Sequence, residues 1–378
     1  MKKLKGNILA LFIGCIISIL LLEFSLFLLS NYGSLKIDLP TYNFDNRRLY
    51  WEEMDTVFGI WHQPNRSYRH IKQCLNVIYN SNSYGSRDKE RERESTNNRV
   101  IVLGDSFIEG FGVAENNRLS NLLEDSTSIP HLNFGMSGNF GTTQYYLLYK
   151  SLASKFSHNA VIIAILPEND FIDDDLEIGK QIYARRYKPY WKGVYPNYKL
   201  VYFQDSIHKS ELFEVEPNFL RITLKNFTYT YNTISYVKYA YLQSNIKESK
   251  TSSLGAMLPD YFNFTTEQFN RMKYSIKAIK KIAKDKSVMV ITIPNLADIM
   301  KFDKMNKLPL LNSELSTFCK NNNIEYLDLL PLMHQHPKEY WHKLYLECDD
   351  HWSDYGNLVA CQLILNKLSY YEDWVNNK

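Results

Sequence analysis

From Arg99 onward, short apolar runs alternate with amphipathic stretches. VIVLG (Val100–Gly104) is an apolar run ending in glycine, as a parallel strand buried on both faces would read. A helical stretch is predicted near Asn117–Glu124. LNFGMSG (Leu132–Gly138) then reads as a second strand running into a glycine turn, followed by a helix over about Thr143–Lys155. VIIAIL (Val161–Leu166) is the third strand and ends in Pro167-Glu168-Asn169-Asp170. The alternation resumes at Thr265-Thr266-Glu267-Gln268, a capping-box pattern, with Phe269, Met272, Ile276, Ile279 and Ala283 at helical spacing. SVMVITIP (Ser287–Pro294) is strand four; a helix near Asn312–Asn321 and IEYLDLLP (Ile324–Pro331) supply the next helix and strand. Ser353 can cap a last helix carrying Leu358, Val359, Leu363, Ile364 and Leu368. Five strands interleaved with helices imply a three-layer α/β/α domain on a five-stranded parallel sheet, spanning 99–378.

Two stretches break this pattern. Residues from about Asp173 to Asn263 are rich in tyrosine and basic residues, with a hairpin expected around Pro196-Asn197. That is too long for a bare loop, so structure of its own, capping a site, is expected. Residues 31–98 hold short extended pieces broken by Pro40, Pro64 and Gly85, and end in the charged run of Ile78–Ser95. They read as a small β-rich lead-in followed by a solvated linker.

Ahead of both, Ile8–Leu29 is about 22 almost wholly apolar residues, enough to cross a hydrocarbon core of roughly 30 Å. The one charge inside is Glu23, near enough to the end to reach the interface. Lys2, Lys3 and Lys5 precede the run, and no positive charge follows until Lys36. The positive-inside bias thus predicts a transmembrane anchor over 1–30, with the N-terminus cytoplasmic and the remainder extracytoplasmic. A cleaved signal peptide is the rival reading. The run is long for an h-region, and SNYGSLK lacks an A-x-A-like site.

Composition changes this picture little. The 378 residues are 45% hydrophobic and 22% charged, as in an ordinary globular protein, with 14% aromatics including 28 tyrosines. A formal charge of +3 without a concentrated basic face gives no case for nucleic acid. Of five cysteines, Cys15 lies in the anchor; Cys74, Cys319, Cys348 and Cys361 follow it, and one disulfide or free thiols are both open. His334, His336 and His342 lack a matching carboxylate pattern, so no metal is expected. Nor is a cofactor, since the glycines at 104, 110 and 112 do not make G-x-G-x-x-G.

The chemistry gathers at four strand ends or helix starts: Gly104-Asp105-Ser106, Asn133 to Gly138, Glu168-Asn169-Asp170, and Asp349-Asp350-His351-Trp352-Ser353. In parallel α/β sheets such ends share one rim. Ser106 is a candidate nucleophile, which needs an adjacent base. His351 is the best-placed base, and Asp349 its orienting acceptor, with Asp350 the alternative. The backbone N–H groups of Ser106 and Gly138 and the side-chain amide of Asn169 are candidate oxyanion donors. Singly, each has an ordinary structural explanation: GDS as a turn, Gly138 as backbone geometry, Asn169 as a helix cap, Trp352 as packing. It is their order and joint placement that argue for a site.

The four blocks resemble the SGNH, or GDSL-type, hydrolase superfamily. Its serine, glycine, asparagine and histidine map onto Ser106 in GDSF, Gly138 in N-x-G-x-x-G, Asn169 in PEND and His351 in DDHWS. The resemblance covers about Val100–Leu368 and implies a flavodoxin-like three-layer fold and metal-free hydrolysis or transfer of ester-linked acyl groups. The third block lacks the usual glycine of G-x-N-D. The last, D-x-H-W with Asp349, is similar to membrane-anchored SGNH-like proteins associated with polysaccharide O-acylation. An esterase acting on O-acyl groups of an extracytoplasmic glycan is therefore expected. An O-acyltransferase on an exported polysaccharide and a catalytically silent glycan-binding or assembly protein are the alternatives. The anchor leaves room for a membrane-protein partner, unidentified.

Overall fold

The computed structural model describes residues 2–33, 35, 37–42, 44, 51–182, 187–203, 219–238, 240–241, 259–367 and 371–376. The chain divides into two compact units. The larger comprises Arg48–Tyr68, Val77–Val215 and Met257–Lys378; the smaller, Met1–Arg47, Arg69–Asn76 and Glu216–Ala256.

Strands are numbered here in chain order. Four short ones come first: β1 (Glu52–Asp55) pairs antiparallel with β2 (Gly59–His62), and β3 (Ser67–Lys72) pairs with β4 (Leu75–Asn80). The sheet of the larger unit is built from β5 (Val100–Gly104), β6 (His131–Gly135), β7 (Ala160–Ile165), β10 (Ser287–Thr292) and β11 (Glu325–Asp328). Its order is β11-β10-β7-β5-β6 and every pairing is parallel. Within the sheet this is the 2-1-3-4-5 order of a flavodoxin-like doubly wound fold, with the switch point between β5 and β7. Helices Thr142–Ser151 and Thr266–Ala283 pack together, as do Leu119–Thr127 and Asp354–Lys367. β5 and β7 are buried at every residue, which is why they read as unbroken apolar runs. Thr265 and Gln268 form the expected capping box.

Three details differ from the sequence pattern. The fifth strand stops at Asp328, whose carboxylate accepts the Leu330 N–H at 3.0 Å and opens a helix over Leu329–His334. A helix at Leu296–Met305 follows β10, capped by Asn295 directly after Pro294. The charged run before β5 is solvated only in part: Lys89, Glu90, Glu92, Arg93 and Glu94 are exposed, but three members are not. Arg87, Asp88 and Arg91 are buried; Arg91 pairs with Asp88 and Glu124, and Arg118 with Asp88. Arg87 donates to the carbonyls of Glu109, Gly110 and Val113, so its guanidinium replaces water's hydrogen bonds with backbone ones.

The expected hairpin forms as β8 (Lys188–Val194) and β9 (Asn197–Phe203). Trp191 on β8 bonds Ser275, and Tyr198 on β9 bonds Glu267, both on the Thr266–Ala283 helix.

In the smaller unit one helix runs from Lys2 to Asn31, and its Asn7–Asn31 stretch is long and apolar enough to cross a membrane. Its Glu23 does not point away from the protein. The carboxylate accepts the N–H groups of Tyr229 and Thr230 at 2.7 and 3.0 Å, at the start of a helix over 229–238. Cys15, Cys319 and Cys361 are free thiols, whereas Cys74 and Cys348 are in the disulfide state.

Candidate active site

β5 ends at Gly104 and the chain turns at once into a four-residue helix, Ser106–Glu109, closed by Gly110 in the left-handed region at φ 84°. Asp105 caps it, accepting the Phe107 N–H at 3.0 Å, while its other oxygen takes an N–H from Asn169 at 3.3 Å. This fixes Ser106 at the helix start and brings the third block to the first. The end of β6 lies against the same helix: a β-carbon on Gly135 would sit 2.1 Å from the Glu109 nitrogen, so only glycine fits. Gly138 in the following loop has φ 113°, again glycine's territory.

Burial pushes the Asp105 carboxyl up to about 6, against the Phe107 N–H, His351 and the Asn169 amide, which favour its charge. Its folded value lies above the ordinary 3.8, so the folded state holds the extra proton between those values and stability falls as pH rises through them. Asp105→Asn abolishes this titration. Relative to the parent, its stability is expected to rise between pH 3.5 and 7 by up to about 3 kcal/mol, read from denaturant unfolding at both pH values.

His351 faces Ser106, with Nε2 2.7 Å from Oγ. On the other side of the ring, Nδ1 hydrogen-bonds Asp349 Oδ1, which also accepts the His351 backbone N–H at 3.3 Å. A carboxylate only accepts, so Nδ1 carries the proton and Nε2 is left to take the serine's. The loop that presents the histidine is held by backbone bonds from Leu346 N–H to the His351 carbonyl and from Ser353 N–H to the Leu344 carbonyl. Phe111 stacks on the imidazole at 4.1 Å and Phe107 lies 4.9 Å away. Trp352 is buried edge-on to Phe107, a packing role, and Ser353 Oγ accepts the Gly356 N–H at the start of the Asp354–Lys367 helix. Asp350 is exposed and makes no hydrogen bond to His351.

A second, wholly buried set supports these groups, and of its side chains only that of Asn133 stands in a block that the sequence marks. Glu109, one turn after Ser106, accepts the Ser137 N–H at 2.5 Å and faces His62 Nε2 at 3.4 Å. His62 Nδ1 meets the Gly85 carbonyl at 2.8 Å and so is the donor there. Burial acts to raise the Glu109 carboxyl, but His62, Arg87 and the Ser137 N–H outweigh it and hold it at about 2. Glu109 thus ties the Gly138 loop to the nucleophile helix. Asn133 adds a second tie, donating to the Ile108 carbonyl at 2.5 Å and to Ser120 at 2.9 Å.

The remaining sequence candidates lie elsewhere. His334 pairs with Asp303 at 3.2 Å on the Leu329–His334 helix. Among the described residues no group of three or more His, Cys, Asp or Glu side chains is placed to hold a metal ion. Arg185 and Arg186 fall outside the described residues. In the same tyrosine-rich basic stretch Lys192 is exposed, whereas Lys188 is buried, paired with Asp173 at 2.9 Å and bonded to the Asn139 carbonyl beside Gly138.

No protein-family model and no curated protein matches the chain. Among solved structures, the lipase/acylhydrolase from Enterococcus faecalis is similar, at 13% identity over 72% of this chain and 96% of its own, with a TM-score of 0.37. A member of the lipolytic protein G-D-S-L family from Veillonella parvula is 10% identical over 72% of this chain and 98% of its own, TM-score 0.37. A GDSL-like lipase from Bacteroides thetaiotaomicron is 11% identical over 75% and 93%, again with a TM-score of 0.37.

Proposed function

We propose that the chain is a serine-dependent esterase. The observation that carries this is the continuous hydrogen-bonded line from Ser106 Oγ through His351 to Asp349, at the carboxyl rim of a parallel sheet. Ser106 Oγ attacks the acyl carbonyl as His351 Nε2 takes its proton, and Asp349 stabilises the imidazolium. The N–H groups of Ser106 and Gly138 and the amide of Asn169 receive the oxyanion. Asn169 gives one N–H to Asp105, and its second has no acceptor among the described residues. The imidazolium then returns its proton to the leaving alkoxide, giving a free alcohol and an acyl-serine that water cleaves.

The substrate class we assign is an O-acyl ester on an extracytoplasmic glycan. Support comes from the apolar Asn7–Asn31 helix, read as a membrane anchor with a cytoplasmic N-terminus, and from the lysines that precede it. The transferase reading, with a sugar hydroxyl in place of water, draws on the aromatic cover that Phe111 and Phe107 give His351, since apolar walls disfavour water at the acyl-serine. Feeding an O-acetylated polysaccharide and following acetate by NMR separates these. Free acetate supports hydrolysis, and acetyl groups moved to an added glycan support transfer. Neither product from a folded, membrane-inserted chain points to the silent glycan-binding reading.

A further inference from the structure

We propose that the helices Phe219–Phe227 and 229–238 form a second membrane-contacting element, lying in the bilayer interface beside the end of the apolar helix. This rests on reading Asn7–Asn31 as membrane-embedded.

Position is the first support. Besides the two bonds to Glu23, Tyr229 accepts from the Asn31 amide at 3.2 Å through its hydroxyl, and its ring meets Phe27 edge-on at 5.7 Å. Glu23 precedes Asn31 by about 12 Å at 1.5 Å per residue. The apolar stretch of 25 residues is about 37 Å long, little more than a hydrocarbon core of roughly 30 Å. Centred on that core, the helix ends about 4 Å beyond it, which sets the backbone at Tyr229 about 8 Å inside the hydrocarbon edge, within the roughly 5–10 Å to which an interfacial helix sinks.

Chemistry is the second. A lone carboxylate in an apolar span is costly. Here it caps a helix start, where the backbone dipole favours negative charge and the N–H groups need acceptors that lipid cannot supply. The bond therefore serves both partners at membrane depth.

The third is the surface left over. Ile234 and Val237 are 62% and 57% exposed, and their spacing places them on one helical face. Lys238 borders that face, with a stem long enough to carry its ammonium to the headgroups. Phe219 and Leu220 on the neighbouring helix are 69% and 63% exposed. Next to the apolar helix, exposed over most of Asn7–Leu29, these residues continue one apolar surface, and the occupant they fit is the bilayer. Tyrosines at 231, 236 and 241 match an interfacial belt.

The test uses the full chain carrying Cys15→Ser, with an environment-sensitive NBD label on Ile234→Cys or, separately, on Leu20→Cys. Each protein is placed in phosphatidylcholine/phosphatidylglycerol vesicles with nitroxide lipids of shallow or deep label. Leu20 should be quenched best by the deep label, and Ile234 best by the shallow one, by twofold or more with a blue-shifted emission. Quenching at Leu20 with water-like, unquenched emission at Ile234 would overturn the inference and leave the anchor intact. A blue shift at Ile234 without lipid quenching would also overturn it, since a protein surface would then cover the face. No quenching at either position would remove the anchor reading as well.

Discussion

Replacing Ser106 by alanine is expected to lower ester turnover by at least about 10⁴-fold. The site offers His351 Nε2 one hydroxyl at 2.7 Å, and without it the imidazole has no nucleophile to activate. The fold should be unaffected, because the cap of the Ser106–Glu109 helix belongs to Asp105 and the glycine contacts to Gly135. The residual rate would come from the oxyanion donors and substrate binding, so KM should move little while kcat falls. Steady-state kinetics on a chromogenic ester, with denaturant unfolding as the control for folding, reads both. A loss under tenfold would assign the chemistry to another group.

The second large effect is expected at Asp349. Asp349→Asn keeps the shape but puts an amide where Nδ1–H needs an acceptor, favouring the tautomer that presents a proton, not a lone pair, to Ser106. In a comparable triad that change costs about 10⁴-fold, and a similar loss is expected here. Asp350→Asn should change kcat less than about threefold, because Asp350 is exposed and makes no bond to the imidazole. The two variants compared at one pH settle which carboxylate orients His351. Equal losses would place the orienting charge on the loop as a whole.

How much of this the sequence carries depends on the range of the interactions. β5 and β7 were legible because a strand buried on both faces must be apolar at every position. The apolar pattern overruns the fifth strand because Leu329 and Leu330 are as apolar as strand residues. At the strand's end Asp328 caps a helix instead, accepting the Leu330 N–H. Ser106, Asn169, Asp349 and His351 could be proposed since each stands at a strand end or helix start, a position that the alternation itself marks. Apart from Asn133, the supporting set could not. His62 lies 47 residues before Glu109, and Arg87 sits in a run whose charge alone suggests solvent. Only the fold shows that their partners are backbone carbonyls and a buried carboxylate. Glu23 is similar: its partner lies 206 residues on, beyond the reach of local pattern.

The most direct test of the central claim is covalent. The full chain in detergent micelles is treated with a fluorophosphonate, and its intact mass is read beside a Ser106→Ala control. Ser106 activated by His351 predicts one phosphonyl adduct on the parent and none on the control. An unmodified parent that is folded, or an adduct that persists when Ser106 is alanine, would contradict the account.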